Sequence, residues 1–401
     1  MRNIVCDVPA LRFPEFIKSW ECSILEKLSK KIGDGIHSTP SYDDNGTFYF
    51  INGNNLNGGK IVITSSTKRV SEKEAYKNNA ENLEANSILM SINGTIGNVA
   101  LYHNEPIMLG KSAFYINSKD NIDKNYLFYY LQYPKTQLYF EAELTGTTIK
   151  NLSLQSIRKT KIYIPTIEEQ HKISRFLQKI DERISTQNKI IEKYESLIQA
   201  IIYKEKMDGI SKGTWQRIAL CKVLQERNEK NVNGRTICSV SVSQGVVNQV
   251  EYLGRSFAAK QTSHYNIVKY GDIVYTKSPT GNFPYGIIKR SNIREDVAVS
   301  PLYGVYIPAS DSIGVFLHFY FMQPSNAFNY LHPLIQKGAK NTINITNGRF
   351  LENFVLLPIS KSEANTIAGI LKTIQAKIEI EKNLLQSYTK EKEYLLRQMF
   401  I

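Results

Sequence analysis

The 401-residue sequence has no long hydrophobic run and only four cysteines. Its longest apolar stretches, such as residues 354–359, are far too short to cross a bilayer, and residues 1–20 lack the apolar core of a secretory signal. Cys6, Cys22, Cys221 and Cys238 show no CxxC spacing, which favours free thiols over a disulfide or metal framework. These absences argue against a membrane or secreted protein and predict a cytoplasmic one.

Catalytic and cofactor motifs are missing as well. Gly110-Lys111-Ser112 resembles the end of a phosphate-binding loop, but Glu105 stands where the GxxxxGK[ST] pattern requires its first glycine. The sequence contains no GxGxxG after a strand, no HExxH and no Asx-Pro-Pro-aromatic segment, and its six histidines are scattered singly. We therefore predict a binding protein with no catalytic residue, no metal site and no cofactor of its own.

Positive charge, by contrast, is abundant. The formal net charge is +13, and residues 207–360 alone contain 16 basic against 9 acidic residues. A basic excess on folded segments rather than on tails predicts a surface that binds a polyanion. The alternative is a basic surface with no binding role.

A long amphipathic helix occurs twice, from Pro165 to about Lys206 and again at an offset of 194 in the numbering. Positions spaced by three and four residues form a coiled-coil seam in both copies, and the polar interruption at Gln187 is repeated as Glu381. The only two tryptophans, Trp20 and Trp215, are related by nearly the same offset. The first seam comprises Ile173, Leu177, Ile180, Ile184, Gln187, Ile191, Tyr194, Ile198 and Ile201, and the second comprises Ile367, Leu371, Ile374, Ile378, Glu381, Leu385, Tyr388 and Leu395.

The repeat predicts an α+β fold in which two globular α/β domains are joined by two long α-helices. We expect the helices to form an antiparallel coiled coil, related by a pseudo-twofold internal repeat, with Gln187 and Glu381 near its middle. Lys392 weakens the second seam, so its last turns are expected to fray or to face another protein. The predicted boundaries are 1–164 for the arm and first domain, 165–207 for the first helix, 208–357 for the second domain and 358–401 for the second helix.

Several motifs carry a family resemblance that extends over essentially the whole chain. They are Leu11-Arg12-Phe13-Pro14-Glu15-Phe16 with Trp20, Gly146-Thr147 with Leu152, and Ile162-Tyr163-Ile164-Pro165 followed by Glu169-Gln170, Ile173, Leu177, Asp181 and Ile184. With them, the sequence resembles the specificity (S) subunit of type I restriction-modification systems. The second copy departs from the pattern, because Ala364 stands at the position that matches Gln170.

The resemblance implies two target recognition domains, each reading one half of a split, asymmetric double-stranded DNA site, with the helices setting the gap. It also implies a non-catalytic subunit that binds two modification (methyltransferase) subunits and, through them, ATP-dependent restriction subunits. S-adenosylmethionine, ATP and Mg²⁺ would belong to those partners. The assembled complex would be an adenine-N6 DNA methyltransferase and an ATP-dependent endonuclease.

Polar loops in the two domains are the candidate DNA contacts, although each could equally be a simple turn. The candidates are His37, Ser38, Thr39, Asn93, Thr95, Thr147, Thr148 and Lys150 in the first domain, and Lys277, Ser278, Thr280, Asn282, Lys340, Asn341 and Thr342 in the second. Two other classes remain open. A coiled-coil scaffold would share the repeat without binding DNA, and a stand-alone nuclease or methyltransferase would be active without partners.

Overall fold

Two long helices dominate the computed structural model, which describes residues 8–78, 80–146, 150–255, 258, 261–337 and 343–401. The first long helix spans Ile167–Lys212 and the second spans Lys361–Gln398. The chain divides into two compact units, which are Met1–Thr186 with Leu384–Ile401, and Gln187–Asn383. Each unit therefore contains part of both long helices. No helix in the described chain has an apolar run that could cross a bilayer.

The first unit is built on a four-stranded antiparallel sheet of order β2-β10-β7-β8, beside a three-stranded sheet of order β6-β3-β9. Its strands are β1 (Glu21–Ile24), β2 (Ser29–Asp34), β3 (Phe48–Ile51), β4 (Leu56–Asn57), β5 (Lys60–Ile61), β6 (Arg69–Val70), β7 (Ser87–Ser91), β8 (Val99–Leu101), β9 (Ile107–Leu109), β10 (Ala113–Ser118) and β11 (Lys161–Ile164). Its short helices are α1 (Leu25–Leu28), α2 (Glu72–Lys77), α3 (Lys124–Leu131), α4 (Pro134–Ala142) and α5 (Leu154–Arg158).

The second unit contains a four-stranded antiparallel sheet of order β13-β20-β17-β18. Its strands are β12 (Trp215–Ala219), β13 (Leu224–Glu226), β14 (Cys238–Ser241), β15 (Gly245–Asn248), β16 (Asn266–Val268), β17 (Ile273–Tyr275), β18 (Ile288–Arg290), β19 (Val297–Val299), β20 (Gly304–Pro308), β21 (Gln336–Lys337), β22 (Ile343–Asn344) and β23 (Phe354–Pro358). The first long helix is numbered α6. The short helices of the second unit are α7 (Gln249–Leu253), α8 (Asp311–Phe321), α9 (Pro324–Leu331) and α10 (Asn347–Phe350).

The two units repeat the same order of elements. A two-stranded antiparallel pair precedes each long helix, β1 with β11 in the first unit and β12 with β23 in the second. Each unit also has a pair of helices after its four-stranded sheet, and α4 and α9 both begin with a proline, which fits the first turn of a helix. The α+β fold with two long helices and an internal repeat, predicted from the sequence, is confirmed.

Within the first unit, the beginning of the first long helix packs against the end of the second. Ile173, Leu177 and Ile180 share one buried cluster with Leu395 and with the neighbouring residues Leu396, Met399 and Phe400. The cluster also contains Trp20 and the aromatic residues of α3. The helix pair is therefore part of the core of this unit rather than an appendage to it.

Within the second unit, the two long helices run antiparallel. Gln187 is buried and donates from its amide to the Glu381 carboxylate. Further along the first helix, Glu205 lines a cavity with Glu363, which lies at the start of the second helix. Between these points the seam is buried at Ile191, Ile198, Ile367, Leu371, Ile374 and Ile378 and half-buried at Tyr194. The seam residues Ile184, Leu385 and Tyr388, which belong to the first unit, are also half-buried.

The buried stripe of the first helix departs from the predicted seam at one position. Ile201 is only half-buried, and its neighbour Ile202 is 1% exposed instead. A straight α-helix drifts by about 20° per heptad from a strict seven-residue repeat, so the buried stripe has moved by one position toward the end of the helix.

The end of the second long helix does not fray as expected, because Lys392 has partners. Its ammonium lies 2.8 Å from the Asp181 carboxylate and 5.5 Å from the centre of the Tyr129 ring. Tyr129 in turn donates to Asp181 over 2.7 Å. A lysine at a seam position is thus accommodated by a local polar network, and Leu395, Leu396, Met399 and Phe400 beyond it are buried.

Candidate nucleic-acid interface

Polar loops of the first unit meet although they are far apart in the sequence. Asn93 pairs with Asn151 in an antiparallel bridge, which brings the candidate Lys150 next to the Asn93-Gly94-Thr95 turn. Thr95 donates from its hydroxyl to the Gly53 carbonyl over 3.1 Å. Gly94 adopts a φ of 72°, a left-handed conformation that favours glycine and keeps the turn tight.

A polar cavity of about 330 Å³ lies next to this turn and was not predicted from the sequence. Asn52, Asn54 and Asn55 line it together with Thr64, Ser66, Thr67 and Lys68, and its aromatic wall is formed by Tyr42 and Phe50. Amide and hydroxyl groups of this kind can donate to and accept from base edges, and a lysine can neutralise a phosphate. The three asparagines in the run Asn52-Gly53-Asn54-Asn55 were the available sequence signal for this cavity.

The other first-unit candidates occupy a separate exposed turn. His37 is exposed, and its imidazole Nε2 lies 2.6 Å from the Asp34 carboxylate. Ser38 and Thr39 are exposed beside it. Among the described residues, no hydrogen bond or ion pair joins this turn to the Asn93–Thr95 turn. The candidates Thr147 and Thr148 lie outside the described residues.

In the second unit, Lys277, Ser278, Thr280 and Asn282 belong to one loop that follows β17. Ser278, Thr280 and Asn282 are exposed, whereas Lys277 is half-buried and burial lowers the pKa of its ammonium group. The base of the loop is held by the buried Phe283, whose backbone N–H and carbonyl both bond Thr280 over 3.0 Å. The remaining second-unit candidates, Lys340, Asn341 and Thr342, lie outside the described residues.

An aromatic surface adjoins this loop and was also not predicted. Tyr285, Phe328 and His332 pack together, with Phe328 and His332 stacked at a centroid distance of 5.1 Å. Phe328 is 39% exposed although it is a large apolar residue. Because Phe328 and His332 lie one turn apart on and just after α9, the i, i+4 spacing was the available sequence signal.

The described residues hold no group of three or more histidine, cysteine, aspartate or glutamate side chains that could bind a metal ion. His318 is half-buried, and its Nδ1 accepts from the Arg290 backbone N–H over 3.1 Å. Its burial, with Lys289 and Arg290 nearby, lowers the imidazole pKa to about 3, so the ring is neutral near pH 7. Cys22, Cys221 and Cys238 are free thiols.

Gln170, which has no counterpart in the second copy, makes only internal contacts. It is 1% exposed; its Oε1 accepts from the Asp123 backbone N–H, and its Nε2 donates to the Pro165 carbonyl, both over 3.0 Å. Ala364 is also buried. The difference between Gln170 in the first copy and Ala364 in the second therefore affects the interior packing of the two units and not an exposed surface.

The geometry defines a class of protein in which two similar units with different loop surfaces share a pair of long antiparallel helices. Residues 18–196 match the family described as type I restriction modification DNA specificity domain. Over these residues the chain is similar to the specificity domain of type I restriction-modification systems, which agrees with the resemblance found in the sequence.

Individual relatives show the same similarity. The type I restriction enzyme MjaIX specificity subunit of Methanocaldococcus jannaschii is 25% identical over 194 residues, which is 44% of either protein. The putative MjaX specificity subunit of the same organism is 28% identical over 29% of this chain and 27% of its own length. The aligned parts thus span less than half of these relatives. The crystal structure of a type I S subunit from M. genitalium has the same fold, with a TM-score of 0.59 and 16% identity over 98% of this chain and 99% of that one.

Proposed function

We propose that this chain is the DNA sequence-recognition subunit of a type I restriction-modification complex. Each unit would read one half of a bipartite, asymmetric site, and the pair of long helices would set the gap between the halves. The observation that carries the proposal is a repeated frame with two different loop surfaces. Both units have a four-stranded antiparallel sheet, but the first unit has an asparagine-lined cavity beside its three-stranded sheet, whereas the second has a lysine-containing loop beside an aromatic surface.

The physical basis of recognition would have two parts. Lysine and arginine side chains, which give the chain its net charge of +13, would neutralise phosphates and provide affinity that depends on salt but not on sequence. Amide and hydroxyl groups of the loops would then select bases, with each good bidentate contact contributing about 1–3 kcal/mol of discrimination. Two readers at a fixed separation bind strongly only when both half-sites are present at the matching spacing.

The partners follow from the same proposal. The chain would dock two modification subunits and, through them, restriction subunits, and it would act in the cytoplasm without being catalytic itself. S-adenosylmethionine, ATP and Mg²⁺ would be bound by those subunits. The complex would methylate adenine at N6 and cleave DNA at the expense of ATP.

Exchanging residues 31–160 for those of another specificity subunit should change one half of the methylated sequence and leave the other half unchanged. The exchange keeps the β1–β11 pair of this chain, which precedes the first long helix. The donor should have aromatic residues at positions 126, 130 and 133, because Phe400 packs on them. The measurement is the map of methylated adenines in cells that also produce the modification subunits.

The matched control is the reciprocal exchange of residues 219–353, which should change only the other half-site. A chimera that altered both halves, or neither, would contradict the assignment of one half-site to each unit. Gel shifts at two salt concentrations separate the DNA reader from a coiled-coil scaffold, since only the reader should lose affinity steeply as salt rises. DNA modification by the purified chain alone would instead establish an enzyme.

Lengthening both long helices by one heptad should widen the gap in the methylated site by about three base pairs. One heptad would be inserted after Thr186 and another after Asn383, where the two units divide. Each insertion adds about 10 Å of helix at about 1.5 Å per residue, which corresponds to about three base pairs of DNA at about 3.4 Å each. Both half-sites should stay the same.

The control for this experiment inserts the heptad in the first long helix alone. That change shifts Gln187 away from Glu381 and should abolish sequence-specific methylation instead of changing the gap. If the doubly extended protein still methylated sites with the original gap, the helices would not set the spacing.

A further inference from the structure

An N-terminal arm, residues 11–16, lies on the beginning of the first long helix in the first unit. The Arg12 guanidinium forms two hydrogen bonds with the Glu169 carboxylate, from Nε over 2.7 Å and from Nη2 over 2.8 Å. Phe13 packs edge-on against Phe176 with ring centroids 6.0 Å apart. The arm leaves Glu169 completely buried.

The second unit contains a groove made of the equivalent residues. Glu169, Lys172, Ile173 and Phe176 of the first copy correspond in the repeat to Glu363, Thr366, Ile367 and Ile370. These four residues of the second copy line a cavity of about 380 Å³ together with Glu205. We call this cavity, with Ser360 and Ser362 at its edge, the second-unit groove.

The local bonding around the two glutamates is also repeated. Trp20 donates from its indole Nε1 to Glu169 over 3.3 Å, and Trp215 donates to Glu363 over 2.7 Å. The helix starts match as well, because the Thr166 and Ser360 hydroxyls accept from the backbone N–H groups of Glu169 and Glu363. The second-unit groove is therefore a second copy of a site whose occupied form is seen in the same chain.

The occupant is what differs between the two copies. The offset that relates Trp20 to Trp215 matches Arg12 with Met207, which lies inside the first long helix and not in an extended arm. Within the described residues, Glu363 and Glu205 have no basic partner, and the hydrogen bonds that Glu363 accepts from side chains all go to its Oε1. Glu363 is accordingly half-buried and Ile370, the counterpart of Phe176, is 42% exposed.

We propose that the second-unit groove binds an extended segment of a different protein, one that carries an arginine between apolar side chains. Two carboxylates that face one cavity attract a cation, and a guanidinium can bond a carboxylate through two parallel N–H groups, as Arg12 does. Ile370 offers the apolar contact that Phe176 makes with Phe13. This interface does not depend on the chain reading DNA.

The test uses a fluorescent peptide with the sequence of residues 8–19 as the probe and measures its anisotropy on titration with the full chain. The arm of the chain already occupies its own site, so the peptide should bind the second-unit groove saturably. Glu363→Gln should weaken binding at least tenfold, and so should replacing the arginine of the peptide with alanine. Glu391→Gln, which neutralises an exposed carboxylate of the same helix outside the groove, should bind the peptide like the unaltered chain.

The Glu363→Gln variant could unfold because it changes the side chain that accepts from Trp215. Glu205→Gln is therefore a second variant, since Glu205 makes no hydrogen bond with the Trp215 indole among the described residues. It should also weaken binding. The absence of saturable binding, or binding to both variants that is as strong as binding to the unaltered chain, would overturn the proposal. A dimer of the chain that dissociates on Glu205→Gln would assign the groove to a second copy and would overturn it as well.

Discussion

Replacing Phe400 with alanine is expected to lower the free energy of unfolding of the first unit by about 3–5 kcal/mol, the usual cost of truncating a buried phenylalanine. Phe400 is 2% exposed and contacts the rings of Tyr126, Tyr130 and Tyr133 at centroid distances of 5.4, 5.3 and 5.9 Å. It follows the second long helix and joins it to α3 and to the loop that follows α3. The substitution should therefore also release the last turns of that helix.

The two tryptophans allow this effect to be measured in one unit. Trp20 belongs to the first unit and packs on Tyr126, whereas Trp215 belongs to the second. In protein labelled with 5-fluorotryptophan, the Trp20 signal should report unfolding at a lower denaturant concentration in the variant than in the unaltered protein. The denaturant concentration at which the Trp215 signal reports unfolding should stay the same. Tyr394→Ala, at a 57% exposed position of the same helix, is the control and should change stability by no more than about 0.5 kcal/mol. A loss no larger than that of the control would show that the helix is not anchored through Phe400.

The long helices could be predicted from the sequence because their signal is periodic and local. Apolar residues at intervals of three and four specify which side of a helix is buried, whatever it packs on. The same reasoning gave Ile201 in place of Ile202, since a seven-residue repeat only approximates the true period of an α-helix. It also misjudged Lys392, whose partners Asp181 and Tyr129 come from another helix and from α3.

The candidate interface was harder to predict because it is assembled by distant contacts. Thr95 bonds Gly53 and Asn93 pairs with Asn151, although the members of both pairs are far apart in the sequence. Asparagine and glycine in a sequence indicate a turn but not which other turn it meets. The sequence therefore identified the polar loops individually, whereas the cavity lined by Asn54 and Lys68 required the fold.

Replacing Arg12 with alanine is expected to lower the free energy of unfolding of the first unit by about 3–5 kcal/mol. The Arg12 and Glu169 side chains are 13% and 1% exposed, and their ion pair is the principal compensation for a carboxylate removed from water. The hydrogen bond to Glu169 raises the pKa of the guanidinium, so the arginine is charged near neutral pH. Without it, Glu169 retains only the indole N–H of Trp20 as a side-chain partner among the described bonds.

A second substitution distinguishes the buried charge from the lost contacts. The Arg12→Ala, Glu169→Gln double variant should be more stable than Arg12→Ala alone, because a neutral amide needs no counter-charge and its oxygen can still accept from Trp20. Arg158→Ala is the matched control: its guanidinium lies 4.0 Å from Glu26, both side chains are well exposed, and its loss should cost no more than about 1 kcal/mol. Denaturation followed by the Trp20 signal measures all three. If the double variant were no more stable than Arg12→Ala, then the arm would be held by packing of its apolar residues and not by the ion pair.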